Sequence, residues 1–371
     1  MNNNRKKRIL IFHPYLAPYR LDLYNKLSEE HDIYVLLTGS KDEIKTLGYN
    51  LDFVNSLAKF NYNYISNGLR FGRHLISSVF LKTIKKFNPD IIISHELGSN
   101  TLFAILAKKR NKKIKVYTTI DDSPTMAMNY GRLRNWLRGF VANNIDGLIV
   151  VNPEVKNYLE NKYPKQRNKV IYFPIIQDDK VLSQKINKSI DKAFSLQKQY
   201  NLCNKRIILF VGRLESIKSP DLLLEVFKRI KTGNEVLVIV GSGSLSNYLH
   251  NYVEHNNIDN VIFTGNLSGI DLYAWYYLAE FFVLPSIFEP FGAVVNEALV
   301  AGCYTIVSNK VGASSLITST NGAIFDINKA GSLEDILKKS LMNLPTIKSH
   351  HSLMDKPFSI YYNDLINGMK I

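Results

Sequence analysis

Short apolar runs alternate along this chain with longer stretches whose apolar positions recur every three or four residues. In the first half the runs are RILIF (8–12), IYVLLTG (33–39), DIIISH (90–95), IKVYTTI (114–120), GLIVV (147–151) and KVIYF (169–173). The stretches 19–29, 74–87, 99–110 and 153–163 have helical spacing. Strand and helix in alternation are the signature of βαβ units and a parallel sheet.

The texture then changes. Residues 174–205 are polar and lysine-rich with no strand pattern, and read as an interdomain linker that carries a helix. A second alternation follows: RIILFVG (206–212), EVLVIVG (235–241), NVIFTG (260–265), FFVLPS (281–286), YTIVS (304–308) and GAIFD (322–326). The tail DKPFSIYYNDLINGMKI reads as a last helix with no strand after it. The expected organisation is an N-terminal Rossmann-like domain over 1–175, a linker region over 176–205, a second Rossmann-like domain over 206–345 and a tail over 346–371 that packs back on the first domain. Ligands bind beyond the carboxyl ends of parallel strands. Two such edges facing each other would form a deep cleft, with a nucleotide on one side and a second substrate on the other.

Composition narrows the class. Apolar residues make up 46% and charged residues 21% of 371, the profile of a soluble globular protein. Cys203 and Cys303 are too few for a disulfide framework and have no metal-like spacing, so the expected compartment is a reducing cytoplasm. No apolar run reaches about 18 residues and the start MNNNRKKRILIFHPYL lacks the apolar core of a signal peptide. Any contact with a membrane is therefore expected to be peripheral. The net charge of +15 is uneven: residues 1–180 hold 29 Lys and Arg against 16 Asp and Glu, the remainder 18 against 16. Such a field speaks of partners rather than fold. Nucleic acid rests on charge alone, since no zinc spacing or RNP-like motif supports it.

Three segments of the second half could carry chemistry. In FVGRLESIKSPDLLLEVFKRI (210–230) a strand ends at Gly212, Arg213 and Lys218 follow in the loop, and Ser219-Pro220 reads as an N-cap and first helical residue. Leu222, Leu223, Val226, Phe227 and Ile230 form the expected buried stripe. Two cations beside a helix N-terminus suit a pyrophosphate, although loop cations are also common on any surface. VIVGSGSLSNYL (238–249) has a Gly-x-Gly turn, which does not make a dinucleotide fingerprint and serves equally to let the chain turn tightly. In FEPFGAVVNEALVAG (288–302), Glu289 precedes a helix that Gly302 ends, and Glu297 lies within it. At 1.5 Å per residue the two carboxylates lie roughly 12 Å apart along the axis, which suits two ends of one extended ligand rather than an acid/base dyad. The bland alternative is a first-turn charge and a solvated face residue.

Taken together, VGRLESIK, VGSGSL, VIFTGNL, LPSIFEPFGAVVNEALVAG and NGAIF resemble glycosyltransferase family 4, retaining enzymes of the GT-B fold, in order and spacing. The resemblance is closest over 206–326. It implies an α/β protein of two Rossmann-like parallel-sheet domains facing across a cleft. It implies transfer of a hexose-type sugar from a nucleotide-sugar, such as a UDP- or GDP-sugar, without a metal cofactor. Glu289 and Glu297 would be the family's E-x7-E pair, holding the donor sugar and the ribose. Arg213 and Lys218 would neutralise the departing diphosphate; Phe291, Gly292 and Val294 would offer backbone amides to sugar and phosphate. Leu267 falls where the base is held. The implied acceptor is a glycan or a lipid-linked sugar, in bacterial polysaccharide assembly such as capsule, O-antigen or exopolysaccharide.

The first domain departs from the family. FHPYLAPYRLDLYNKL (12–27) has no glycine where many members have a Gly-Gly loop, and Arg20 would reach either a phosphate in the cleft or an acid on its own surface. Asp121, in the adjacent pair Asp121-Asp122, is expected as the acceptor-side polar residue. His95 at the end of a strand is a second candidate, or a satisfied structural histidine. Two adjacent carboxylates are weak evidence for a metal, and none is expected. In RLRNWLRGFVANN (132–144), Leu133, Trp136, Leu137, Phe140 and Val141 share a helical face. That face suits either an anionic membrane, such as the cytoplasmic side of an inner membrane, or the protein core; the core is the expectation, since any surface helix shows one apolar stripe. The alternative to an enzyme is a non-catalytic GT-B-fold subunit that binds sugar or protein, against which the intact Glu289, Glu297, Arg213 and Lys218 argue.

Overall fold

The computed structural model describes residues 5–39, 51–72, 74–96, 98–343, 348 and 350–371. The chain divides into two compact units, one of residues 1–177 with 358–371, the other of residues 178–357.

Unit 1 holds strands β1 (Arg8–His13), β2 (Asp32–Leu37), β3 (Asn61–Tyr64), β4 (Leu69–Phe71), β5 (His74–Ile76), β6 (Ile91–His95), β7 (Lys115–Ile120), β8 (Gly147–Val150) and β9 (Val170–Tyr172). Seven of them form one parallel sheet in the order β3-β2-β1-β6-β7-β8-β9. Helices cover both faces, so the central strands are apolar throughout rather than alternating. The strands β4 and β5 form a separate antiparallel pair. The helix expected over 74–87 is thus shorter: His74–Ile76 is strand, and the helix runs Val79–Phe87 after Ser77-Ser78. The last helix, Phe358–Met369, lies on β9. Phe358 meets Phe173, Tyr361 meets Tyr172, and Tyr117 donates to the Met369 carbonyl (2.9 Å).

Unit 2 holds β10 (Arg206–Val211), β11 (Glu235–Val240), β12 (Val261–Gly265), β13 (Phe281–Leu284), β14 (Tyr304–Ser308) and β15 (Gly322–Phe325). They make one parallel sheet in the order β12-β11-β10-β13-β14-β15. Residues 178–205, read from composition as linker, are built into this unit as two helices, Asp179–Asn187 and Ile190–Gln199. Each has buried apolar positions, Leu182 and Ile186 on the first and Ala193 and Leu196 on the second. The abundant lysines are their solvated faces. A lysine-rich composition hides a sparse apolar stripe, which is why the segment reads as a tether.

In both sheets the strand order reverses next to the first strand, between β1 and β6 and between β10 and β13. The loops that leave these neighbours diverge to opposite faces and open a crevice at the carboxyl edge, the usual seat of a ligand in such sheets.

One helix is turned further outward than expected. On Arg132–Ala142 the buried residues are Arg138, Val141 and Ala142. Of the expected stripe only Val141 is buried and Leu137 is half-buried; Leu133 is 72% and Trp136 67% exposed, and Phe140 is also exposed. The reason is an ion pair. Asp122 is buried after β7 and accepts from Arg138 (2.8 Å) and from the Tyr130 hydroxyl (2.7 Å), and Arg138 lies over the Tyr130 ring. A buried carboxylate needs its partner, so Arg138 sets the rotation of the helix and most of the apolar stripe, Leu133, Trp136 and Phe140, is left outside.

Candidate active site

At the switch point of unit 2, the loop after β10 carries Arg213 and Lys218 and the loop after β13 carries Glu289. Lys218 ends a short 3-10 turn, Ser216–Lys218. A backbone hydrogen bond from Ile287 to the Ile217 carbonyl (3.0 Å) ties the two loops together. Lys218 and Glu289 form an ion pair with both side chains mostly covered. Arg213 is exposed. Burial, then the neighbouring Arg213 charge, brings the Lys218 ammonium down to about 8, while contact with the Glu289 carboxylate favours its charged form. Ser219 differs from its expected role. It has a positive φ of 47° and no side-chain cap; its hydroxyl donates to the Ser216 carbonyl, closing the turn that aims Lys218. The helix Pro220–Ile230 buries Leu224 along with Leu223, Val226, Phe227 and Ile230, and leaves Leu222 at its edge.

The Glu289 segment is held by its backbone. Its N–H donates to the Lys310 carbonyl (3.2 Å), its carbonyl accepts from Gly312 (2.9 Å), and the Phe291 carbonyl accepts from Ala313 (2.6 Å). Phe291 is buried as the anchor of the loop; Gly292, with φ +93°, turns the chain into the helix Val294–Val300. Glu289 therefore lies outside that helix and Glu297 inside it. The helix stops as its sequence suggests: Gly302 takes φ +79°, and Cys303 and Gly302 donate back to the Ala298 and Leu299 carbonyls (2.9 and 3.1 Å), a Schellman closure. Glu297 is half-buried and hydrogen-bonds the hydroxyl of Tyr276, a fully buried residue of the helix Gly269–Leu278. Burial first, and the Glu297 carboxylate second, push the Tyr276 phenol well above its ordinary range. It stays a hydrogen-bond donor and fixes the carboxylate. Leu267 is half-buried between β12 and that helix.

The Gly-x-Gly turn has a structural explanation. A Cβ on Gly241 would stand 1.9 Å from the Gly212 carbonyl oxygen. Its φ of +142° is a conformation that L side chains rarely adopt. The absence of that side chain lets the loop after β11 close on the loop after β10, where Leu214 donates to Ser242 (2.9 Å) and Ser244 donates to the Glu215 carboxylate.

At the switch point of unit 1 the charges are internal. Arg20, on the helix Pro18–Glu30, is 2% exposed and donates to Asp121 Oδ1 at 2.6 Å. Of its two expected partners the acid is the one present, and it lies in the interior rather than on the surface. Burial acts to raise the Asp121 carboxyl, but Arg20, His95 and His13 outweigh it and hold it below the usual range. His95 bonds the Thr119 hydroxyl through Nδ1 (2.9 Å) and its ring lies 4.4 Å from that of His13. His13, at the end of β1, is buried and bonds the Tyr15 carbonyl through Nδ1 (2.6 Å). Burial, then His95 and Arg20, keeps it neutral, well below the ordinary imidazole value. Ligand atoms of His13, His95 and Asp121 lie within 4.8 Å of one another. Arg20 already supplies a full positive charge in contact with the one carboxylate of that set. Asp122 points elsewhere, to Arg138 and Tyr130, so the adjacent acids do not act as a pair.

Two family profiles cover most of the chain. Glycosyltransferase Family 4 matches residues 19–176 and Glycosyl transferases group 1 matches residues 191–353. The chain belongs to glycosyltransferase family 4. An uncharacterized glycosyltransferase of Methanocaldococcus jannaschii is 24% identical over 338 residues, 90% of this chain and 87% of that one. The N-acetylgalactosamine-N,N'-diacetylbacillosaminyl-diphospho-undecaprenol 4-alpha-N-acetylgalactosaminyltransferase of Campylobacter jejuni is 32% identical over 140 residues, 37% of each chain. Anabaena HepE, solved in complex with UDP, has a TM-score of 0.70 at 15% identity and covers 98% of this chain and 95% of its own. The fold is GT-B, and the protein is a glycosyltransferase.

In this family-4 enzyme the sequence reading passes over two residues that the structure brings to the sites. Tyr276 has no signal of its own, because it is one of several aromatic residues in a mostly apolar helix. His13 stands at the end of the first strand in IFHPY, the same kind of position as His95, and that placement is the signal that could have found it.

Proposed function

We propose that the protein is a retaining glycosyltransferase that takes a hexose-type sugar from a UDP-sugar and passes it to a hydroxyl of a glycan or lipid-linked acceptor in bacterial surface-polysaccharide assembly. The single observation that carries the reading is the meeting of Arg213, Lys218 and Glu289 at the β10/β13 switch point. The solved complex of Anabaena HepE with UDP supports the choice of nucleotide. The Campylobacter relative, named for a diphospho-undecaprenol substrate, supports the choice of a lipid-linked acceptor.

In this reading the bond between the sugar C1 and the diphosphate oxygen breaks as the acceptor oxygen bonds C1. The products are the glycoside and UDP, and the acceptor's hydroxyl proton is released. Charge grows on the diphosphate, and fixed cations stabilise it with little reorganisation. Arg213 and Lys218 are those cations, so the leaving group needs no metal. An arriving diphosphate competes with Glu289 for Lys218 and frees the carboxylate for the sugar hydroxyls. Glu297, oriented by Tyr276, holds the ribose. Phe291, Gly292 and Val294 place the backbone beside the sugar and phosphate, and Leu267 borders the base. In unit 1, Asp121 and His95 face the acceptor, with Arg20 as the residue that positions Asp121.

A thermal-shift screen of UDP-, GDP-, ADP- and TDP-sugars tests the donor, since a ligand stabilises by RT ln(1 + [L]/Kd). The UDP-sugars are expected to stand out, and Glu289→Ala to abolish transfer. A shift with GDP-sugars alone, or full transfer by Glu289→Ala, contradicts the proposal.

A further inference from the structure

Leu133, Trp136 and Phe140 are exposed along one side of the helix Arg132–Ala142, and the Trp136 and Phe140 rings stack on each other. Lys109 lies over the Phe140 ring, which joins this helix to its neighbour, Ser99–Arg110. That neighbour exposes Leu102 and Leu106, spaced by one turn and followed by Lys109 in the same register, with Lys113 in the turn beyond its end. The apolar surface is thus shared by two helices.

The two segments that form it carry charge of one sign. Residues 99–115 and 124–144 contain nine Lys and Arg and no Asp or Glu. Three of the nine are satisfied from elsewhere in unit 1: Lys108 and Lys115 by Asp146, and Arg138 by Asp122. Lys109, Arg110, Lys112, Lys113, Arg132 and Arg134 are all exposed beside the apolar residues. The outward rotation is built in, because the buried Arg138–Asp122 pair fixes it. Among the described residues, no helix is long and apolar enough to cross a membrane.

We propose that this two-helix face docks on an anionic phospholipid bilayer, with Leu133, Trp136 and Phe140 at the acyl boundary and the surrounding lysines and arginines on the headgroup phosphates. Aromatic and leucine side chains ringed by basic ones are the chemistry of an interfacial helix. The absence of acids from these two segments makes their charge complementary to anionic lipid rather than to another copy of this basic chain. The inference rests on the reading of a lipid-linked acceptor, for which docking would bring the enzyme to the surface where that acceptor lies.

The protein contains two tryptophans, and Trp275 is 1% exposed. Fluorescence changes at the exposed Trp136 therefore report on this face. Titration with vesicles of phosphatidylglycerol and phosphatidylcholine is expected to shift the emission to the blue, with quenching by lipids brominated on the acyl chain. Pure phosphatidylcholine is expected to bind far less. Leu133→Glu, at a solvated position, is expected to lose vesicle binding. Lys109→Ala with Lys113→Ala should weaken it roughly ten- to thirtyfold. UDP binding, measured without vesicles, should be unchanged in all these variants. Lack of binding to anionic vesicles, equal binding to neutral ones, unquenched Trp136, or concentration-dependent self-association through the patch would each overturn the proposal. Loss of UDP binding with vesicle binding intact would count against the proposed reaction instead, so the two failures are distinguishable.

Discussion

The two switch points occupy the same place in two sheets of the same kind, yet they use charge in opposite ways. In unit 1 the cation, Arg20, is almost fully buried and committed to Asp121, and His13 is kept neutral beside it. In unit 2 the cations lie on the loop itself: Arg213 is exposed, and Lys218 shares a mostly covered ion pair with Glu289. Strand order decides where a site forms, and the depth of the charged residue decides what the site can do. A guanidinium sealed against its own carboxylate holds a loop in place. A lysine that can exchange one anion for another is available to a diphosphate.

The largest expected effect that separates the two is on stability. Asp121→Asn leaves Arg20 buried without its counter-charge and should cost about 3–5 kcal/mol, read as a fall in the denaturation midpoint, while UDP affinity in unit 2 is unaffected. The Asp121 carboxyl is held below its ordinary range, so its contribution is present above the unfolded value and lost as pH falls through the lowered one. An unchanged midpoint would break the contrast. The next effect is on binding. With Lys218 near 8, its ammonium is present below that pH and lost above it, so UDP affinity should fall by up to about tenfold per pH unit above 8. Lys218→Arg should flatten the profile, because arginine stays charged. The smallest effect is on the pair itself. Glu289→Gln releases Lys218 from its competing anion and should raise UDP affinity by up to about fivefold even as turnover is lost. Titration calorimetry beside a transfer assay would show that split; parallel losses in both would contradict it.

Twelve of the thirteen strands in the two parallel sheets and the Glu297 helix are legible in the sequence because apolar runs and Gly302 are local signals; β3, Asn61–Tyr64, is missed because NYNY has no apolar run. Arg213, Lys218, Glu289 and Glu297 stand out in the sequence because several short motifs occur in register. What is not legible depends on contacts far apart in the chain. The fate of Arg20 comes from Asp121, about a hundred residues away, and the outward turn of Arg132–Ala142 from Asp122, which lies outside that helix and its periodic pattern. A periodic stripe says that a face is apolar, and only its buried neighbours say which way it points. Residues 178–205 fail for a related reason, since their apolar positions gain meaning from the helix Gly269–Leu278 against which they pack.

The central claim is that Arg213 and Lys218 hold the diphosphate of the donor. Titrating UDP and uridine against the wild-type protein and the Arg213→Ala, Lys218→Ala double variant tests it most directly. The account predicts that the double variant loses about a hundredfold or more in affinity for UDP, while uridine binds both proteins alike. A double variant that binds UDP as the wild type does would contradict it.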